Sequence, residues 1–269
     1  MLSSVKTSLN YTVDNGMPPD YYFYEPDPSV KTNPPGTDTK EVEIYDGWPK
    51  VNEFSLDKEG FELKPFPALF THYNDEEAVK RDFYPQIVDF VARNTGAKRV
   101  VIFDHTIRKR LPADLSAQTT TQRPAVLLVH ADYTEKGAIQ RVRDIVPEEA
   151  DDLLKGRVAF YNVWKSLYAP VEELPLAMCD VTTAPDDDLL TMELKYKERT
   201  GEIFVMRHSP KHKWYYFPKM PADQALLLKT FDTDAKRARF MSHSAFEDPT
   251  TPPGAPKRES IEVRTMAFF

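Results

Sequence analysis

The chain has one cysteine, Cys179, in 269 residues. No disulfide can close within it and no paired-cysteine zinc site can form, so a reducing compartment is the natural setting and Cys179 is expected as a small buried apolar side chain. Glycine is sparse too, at 9 residues, and none falls into a Gly-x-Gly-x-x-Gly dinucleotide motif, a phosphate loop or a Gly-x-Ser-x-Gly nucleophile elbow. No apolar run is long enough to span a bilayer, and Met1-Leu2-Ser3-Ser4-Val5-Lys6 lacks the charged and apolar regions of a secretory signal. A cytoplasmic protein with no membrane partner is the expectation. Positive charge is also in deficit: the net charge is −7 and no basic run exceeds Arg108-Lys109-Arg110. That argues against a nucleic-acid partner while leaving room for a local anion pocket. Neither an internal repeat nor a low-complexity tract occurs, and nothing in spacing or composition sets an oligomeric state.

What the chain does have is 41% hydrophobic and 12% aromatic residues, enough for a sizeable core, and 23 prolines, which order long loops. One domain over 1–269 is expected, with an N-terminal arm (1–40), a flanking strand and helices (41–98) and a β core (99–269). The arm is rich in proline and carries the cluster Tyr21-Tyr22-Phe23-Tyr24, which could dock on a core built later. Glu41 to Asp46 alternates as a short strand that Gly47 ends. Asn74 is expected to cap a helix with apolar Val79, Phe83, Ile87, Phe90 and Val91, kinked at Pro85 and ended by Gly96. A buried strand, Lys98 to Phe103, follows and closes on Asp104-His105. Thr134 caps a second helix that Pro147 terminates, and 148–155 forms a third that Gly156 closes. Strand signals then come in series: 157–164, 189–196, 203–208, 213–217, 225–231, 239–245 and 258–268. Short strands without regular helix alternation point to a mainly β fold, an eight-stranded jelly roll with flanking helices.

The chemistry centres on His130-Ala131-Asp132, at the end of the apolar run Ala125 to Val129. On a strand, side chains two apart share a face, so an imidazole nitrogen and a carboxylate oxygen can converge on one point. Those are two of the three ligands of a 2-His-1-carboxylate site, which binds Fe(II) on one face and leaves the other open. His243, more than a hundred positions on, is the candidate third ligand, and Arg258-Glu259-Ser260 follows it. An arginine fork with a nearby hydroxyl suits the far carboxylate of 2-oxoglutarate. The remaining histidines fit the pattern less well. His105 has Ile107 where an acid would be needed, His208 and His212 flank a turn at Pro210, and His72 lies in a polar loop. Arg108 and Arg110 are candidates for the cavity mouth, and Tyr133, Trp164, Trp214, Tyr216 and Phe246 for the pocket wall, with core packing the commoner role for such aromatics. Lys229 is a further candidate anion contact, a solvated lysine on a strand's outer face being the commoner outcome.

Six segments, Ile102 to His105, Val129 to Thr134, Asn162-Val163-Trp164, Pro175 to Asp180, Trp214 to Met220 and Arg258 to Arg264, are similar to those of the fungal hydroxylase/desaturase family of secondary metabolism. That family includes a gibberellin desaturase and relatives of a cephamycin methoxylation component, and the resemblance covers the chain from about residue 40. It implies a non-haem Fe(II), 2-oxoglutarate-dependent oxygenase with the double-stranded β-helix (cupin-like) fold. Its iron ligands would be His130, Asp132 and His243, its co-substrate anchors Arg258 and Ser260, with dioxygen as second co-substrate and a small molecule as substrate. Lys165 departs from the family, where arginine would follow Trp164. Hydroxylation, desaturation and oxidative cyclisation are all compatible with this reading. Two alternatives stay open at this level: a redox-neutral isomerase or lyase using the same cavity, and a non-catalytic partner of another oxygenase.

Overall fold

The protein's structure, a computed structural model, describes residues 2–67, 70–109 and 122–269. In chain order the strands are β1 (Ser4–Tyr11), β2 (Asp20–Tyr22), β3 (Asp38–Asp46), β4 (Phe61–Pro65), β5 (Arg99–Lys109), β6 (Gln122–Arg123), β7 (His130–Ala131) and β8 (Val158–Ser166). They continue as β9 (Leu176–Cys179), β10 (Leu189–Lys195), β11 (Thr200–Met206), β12 (Trp214–Tyr216), β13 (Gln224–Asp232), β14 (His243–Ala245) and β15 (Glu259–Phe268). The α-helices are α1 (Glu76–Ala78), α2 (Tyr84–Thr95), α3 (Glu135–Ile145) and α4 (Ala150–Leu153).

Nine strands form one sheet in the order β1-β3-β12-β9-β14-β7-β11-β10-β2, and six form the other, β4-β13-β8-β15-β5-β6. Strands distant in sequence thus lie side by side, as the mainly β jelly roll requires. The two sheets meet over a shared core, in which Phe61, Leu63, Trp164, Leu226 and Leu228 of the smaller sheet pack on Leu176, Met178 and Tyr215 of the larger. The outer face of the smaller sheet is also covered, because Phe83, Ile87, Phe90 and Val91 press on Tyr161, Val163, Ile261 and Val263. Covering on both faces is why β8, β13 and β15 are buried along almost their whole length, and why β8 and β13 carry apolar runs such as Val158–Tyr161 and Ala225–Leu228.

The helical segment before β5 begins one residue later than expected. Asp75, and not Asn74, is the cap, accepting the Ala78 N–H at 3.1 Å. A π-helical turn over Val79–Phe83 precedes α2, placing Pro85 in the first turn, where its missing N–H costs nothing. Gly96, at φ 74°, closes α2 with its N–H on Ala92 O at 2.9 Å. Thr134 caps α3 as expected, accepting the Gly137 N–H at 2.9 Å.

Other boundaries move. β5 runs past Asp104-His105 to Lys109 and is half-buried over Arg99–Asp104. The helix expected over 148–155 is helical only at Ala150–Leu153, and the strand expected over 239–245 only at His243–Ala245. The run Ala125 to Val129 is not a regular strand, leaving the two-residue β7. The arm supplies sheet edge: β1 pairs with β3 from Ser4↔Tyr45 to Tyr11↔Asp38, and β2 lies parallel to β10. Tyr11, wholly buried, accepts the Trp214 indole N–H at 2.9 Å, while Tyr21 and Phe23 of the aromatic cluster remain exposed. Among the described residues no helix is long and apolar enough to cross a membrane.

Candidate metal centre

β7 and β14 are neighbours in the larger sheet, and His130 and His243 are direct partners in their register. The two rings lie 4.5 Å apart between centroids, and both residues are buried. Asp132 stands just past the end of β7, at a bend, and still turns its Oδ1 to within 3.7 Å of His130 Nε2. One ligand atom from each of the three falls within 4.8 Å of the others.

Backbone carbonyls choose which imidazole nitrogen is free. His130 Nδ1 lies 2.8 Å from Leu128 O, and His243 Nδ1 is 3.5 Å from Met241 O. A carbonyl can only accept, so Nδ1 carries the proton and Nε2 is left as the lone-pair donor facing Asp132. Burial, with His243 alongside, pushes His130 down to about 4, which keeps it neutral as metal ligation requires. Two neutral imidazoles and one carboxylate oxygen, open on one side, are the donor set that suits Fe(II).

Opposite the histidines, the smaller sheet supplies charge. Arg258 precedes β15 and is buried, its guanidinium 5.6 Å over the Trp164 ring. Nη1 donates to Leu174 O at 2.5 Å, and the backbone N–H donates to Glu173 Oε2 at 3.2 Å. Leu174 holds this position at φ 47°, a left-handed conformation that leucine adopts only under constraint. Burial works against the Arg258 charge, and neighbouring Arg108 adds to it, bringing the group down to about 9 despite Glu262 and Glu173. An incoming carboxylate relieves that penalty. Ser260, two positions along the same strand face, has a fully buried hydroxyl with no partner among the described residues. Arg108, His130, Trp164, His243, Arg258 and Glu262 all border one small cavity.

Two further residues sit in this site that sequence reasoning did not single out. Asn162, in the middle of β8, donates from Nδ2 to Asp132 Oδ2 at 2.5 Å and to Glu262 Oε1 at 2.7 Å. Glu262 in turn meets Arg264 at 3.2 Å and Arg108 at 3.4 Å. Burial alone would raise the Glu262 pKa, but Arg264 and Arg108 outweigh it and hold the carboxyl well below the usual carboxylate range. The one available signal was parity: Glu262 shares a strand face with Arg258 and Ser260, and Asn162 shares one with Trp164.

Other candidates fall elsewhere. Of the five aromatics, Trp164 borders the cavity, whereas Trp214, Tyr216 and Phe246 pack together with Tyr11 in a separate core and Tyr133 packs on Phe160. Arg108 lines the cavity as expected; Arg110 lies outside the described residues. His105 bonds Tyr84 Oη at 2.8 Å, His212 bonds Asp188 at 3.1 Å, and His208 and His72 meet aromatic rings edge-on. Lys229 is not solvated: it is wholly buried in an ion pair with Asp232 at 2.9 Å and a second with Asp57. The parity of β8 turns Lys165 away from Trp164 and the cavity, toward Ser166 O at 2.9 Å and the Tyr73 ring.

Residues 9–268 match the family described as Oxidoreductase/YMDC permease-like domain. The chain is 33% identical to the hydroxylase/desaturase EfuI of Hormonema carpetanum, over 99% of this chain and 95% of that protein. It is 32% identical to the Fe(II)/2-oxoglutarate-dependent dioxygenase NvfI of Aspergillus novofumigatus over 92% and 90%, and 31% identical to the alpha-ketoglutarate-dependent dioxygenase PhiK of a fungal species over 86% and 85%. A solved structure of the iron and alpha-ketoglutarate-dependent endoperoxidase NvfI superposes with a TM-score of 0.89 at 27% identity, covering 99% of this chain and 98% of that one.

Proposed function

The chain belongs to the fungal hydroxylase/desaturase family of secondary metabolism, with its Fe(II)/2-oxoglutarate-dependent dioxygenases, and from that premise we propose that it oxidises a small-molecule natural-product intermediate at iron held by His130, Asp132 and His243. Hydroxylation, desaturation and oxidative cyclisation are the outcomes open to it. Bound Fe(II), with 2-oxoglutarate and dioxygen, supplies the oxidant that takes hydrogen from an unactivated carbon.

The chain's own groups do the positioning. His130, Asp132 and His243 would hold the metal, and both histidines border the cavity from which a substrate would approach. Arg258, whose remaining N–H groups have no partner among the described residues, would hold the far carboxylate of 2-oxoglutarate, and the Ser260 hydroxyl, also without a partner among them, would add a hydrogen bond. Trp164 and Leu176 form apolar wall, which limits water near the reacting carbon. Residues 1–269 act as one domain in this reading, since its ligands come from the middle and the end of the chain. A protein of net charge −7 with this buried cavity fits a small molecule and not a nucleic acid.

The observation that carries the proposal is the meeting of three ligand atoms within 4.8 Å from residues 130, 132 and 243. Anaerobic titration with Fe(II) and 2-oxoglutarate tests it: the visible charge-transfer band of the chelate is expected. A protein that binds no Fe(II), or one that turns over substrate without consuming dioxygen and 2-oxoglutarate, would overturn it.

A further inference from the structure

We infer that Asn162 is a positioning residue that holds Asp132 with a single oxygen presented to the metal and ties that carboxylate, through Glu262, to Arg108 in the cavity wall. The inference rests on the reading of His130, Asp132 and His243 as the metal ligands.

The two oxygens of Asp132 have different surroundings. Oδ1 faces His130 Nε2 at 3.7 Å, whereas Oδ2 receives Asn162 Nδ2 at 2.5 Å. With Oδ2 committed to a donor, binding through both oxygens would require breaking that bond, so the carboxylate is set for monodentate ligation. The same NH₂ group gives its other hydrogen to Glu262 Oε1 at 2.7 Å. An amide nitrogen has two hydrogens, and both are used, one on each carboxylate.

The amide cannot turn over. Its oxygen would then face the acceptor oxygens of Asp132 and Glu262, where only a donor can bond, and Glu262 is itself fixed by Arg264 and Arg108. The orientation persists even though it leaves Asn162 Oδ1 buried without a partner among the described residues. Asn162 is wholly buried on β8, which is paired along both sides by β13 and β15. The donor is therefore fixed by sheet structure, while its acceptor Asp132 stands past the end of a two-residue strand. A stiff element is anchoring a looser one. The chain Asp132–Asn162–Glu262–Arg108 also gives the cavity wall a route to the metal ligand, because Arg108 both borders the cavity and bonds Glu262.

Co(II) binding to the apoprotein tests this without turnover, by calorimetric titration and by the ligand-field spectrum. Asn162→Ala and Asn162→Ser are expected to bind Co(II) roughly 10- to 100-fold more weakly than the parent, the usual effect of losing a group that orients a ligand. Their spectra should shift as the freed Asp132 changes its mode of binding. Glu262→Gln keeps an acceptor for the amide and should stay much closer to the parent. A space-filling role alone would lower the unfolding temperature of the Asn162 variants and leave Co(II) affinity and spectrum as they were; that result overturns the inference. A parent that takes up no Co(II) would instead count against the site itself. Should both variants fail to fold, the Co(II)-bound crystal structure of the parent decides. One Asp132 oxygen on the metal with the other on Asn162 Nδ2 supports the inference, and two oxygens on the metal overturn it.

Discussion

His130 and His243 are direct cross-strand partners, with ring centroids 4.5 Å apart and Nδ1 of each turned to a carbonyl of its own segment. A sheet pair this close brings both Nε2 lone pairs to one point without a loop having to order. Metal therefore stabilises the folded chain by mass action, by about 2.7 kcal/mol at a concentration a hundredfold above its dissociation constant. Anaerobic Fe(II), or Co(II), is expected to raise the unfolding temperature of the parent and to leave that of His130→Ala and His243→Ala unchanged. Equal shifts in parent and variants, read by differential scanning calorimetry, would mean the ion binds elsewhere.

The Arg258 prediction separates co-substrate from metal. Among the described residues its guanidinium bonds Leu174 O alone, and it borders the cavity. Loss of a charge-assisted fork costs about 1.5–3 kcal/mol, or roughly tenfold to a hundredfold in affinity. Arg258→Ala is expected to weaken 2-oxoglutarate by that factor while Fe(II) binds as in the parent. Arg258→Lys should recover only part, because a point charge cannot make the bidentate contact. Titrating 2-oxoglutarate against a fixed Fe(II) concentration and following the chelate band gives both constants.

Much of this was readable in the sequence, and the misses have physical causes. The apolar runs of β8 and β13 are legible because both of their faces are covered. β1 was hidden because Thr7 stands at an inward position between Val5 and Leu9, interrupting an otherwise regular period of two. β9, four residues long and fully buried, offers no alternation at all. The His-x-Asp pair and the distal histidine, which the fold brings together, stand out in the sequence because ligand chemistry constrains residue type. Asn162 was not, since an amide is ordinary in a strand until its partner thirty positions earlier is known. Lys229 was expected in solvent because the outer face of β13, which it shares with Ala225 and Leu227, is itself covered, and Asp57 and Asp232 receive its ammonium there.

Lys165 gives the chain a specific pH dependence. Burial brings its ammonium down to about 8, with Asp223 acting weakly the other way. In the unfolded chain lysine titrates near 10.4. Below pH 8 both states are charged and the full cost of burying the cation is present. Between about 8 and 10.4 the unfolded state holds more protons than the folded one, so stability rises with pH across that window, by up to about 3 kcal/mol. Lys165→Met removes the titration. Its stability relative to the parent should therefore be greatest near pH 7 and decline as the pH passes from 8 to 10. Urea unfolding of both proteins at matched pH values measures the difference; a difference that stays flat with pH contradicts the account.

Gly60 reaches the metal centre through packing alone. It sits at φ 90°, which a residue with a Cβ adopts only under strain, and a Cβ there would lie 2.9 Å from Val181 Cγ2 and 3.0 Å from Met241 Cβ. Met241 is two residues before His243 and its carbonyl faces His243 Nδ1. Backbone strain of this kind costs about 1–3 kcal/mol, and relief of the contact has to come from Val181 or from Met241. Movement of Met241 tilts the imidazole away from His130 and Asp132. Gly60→Ala is accordingly expected to lose stability by about that amount and to bind Co(II) more weakly as well, although the residue touches neither metal ligand nor cavity. If Co(II) affinity holds while the unfolding free energy falls, the strain is being absorbed on the Val181 side and His243 is better anchored than its 3.5 Å contact to Met241 suggests.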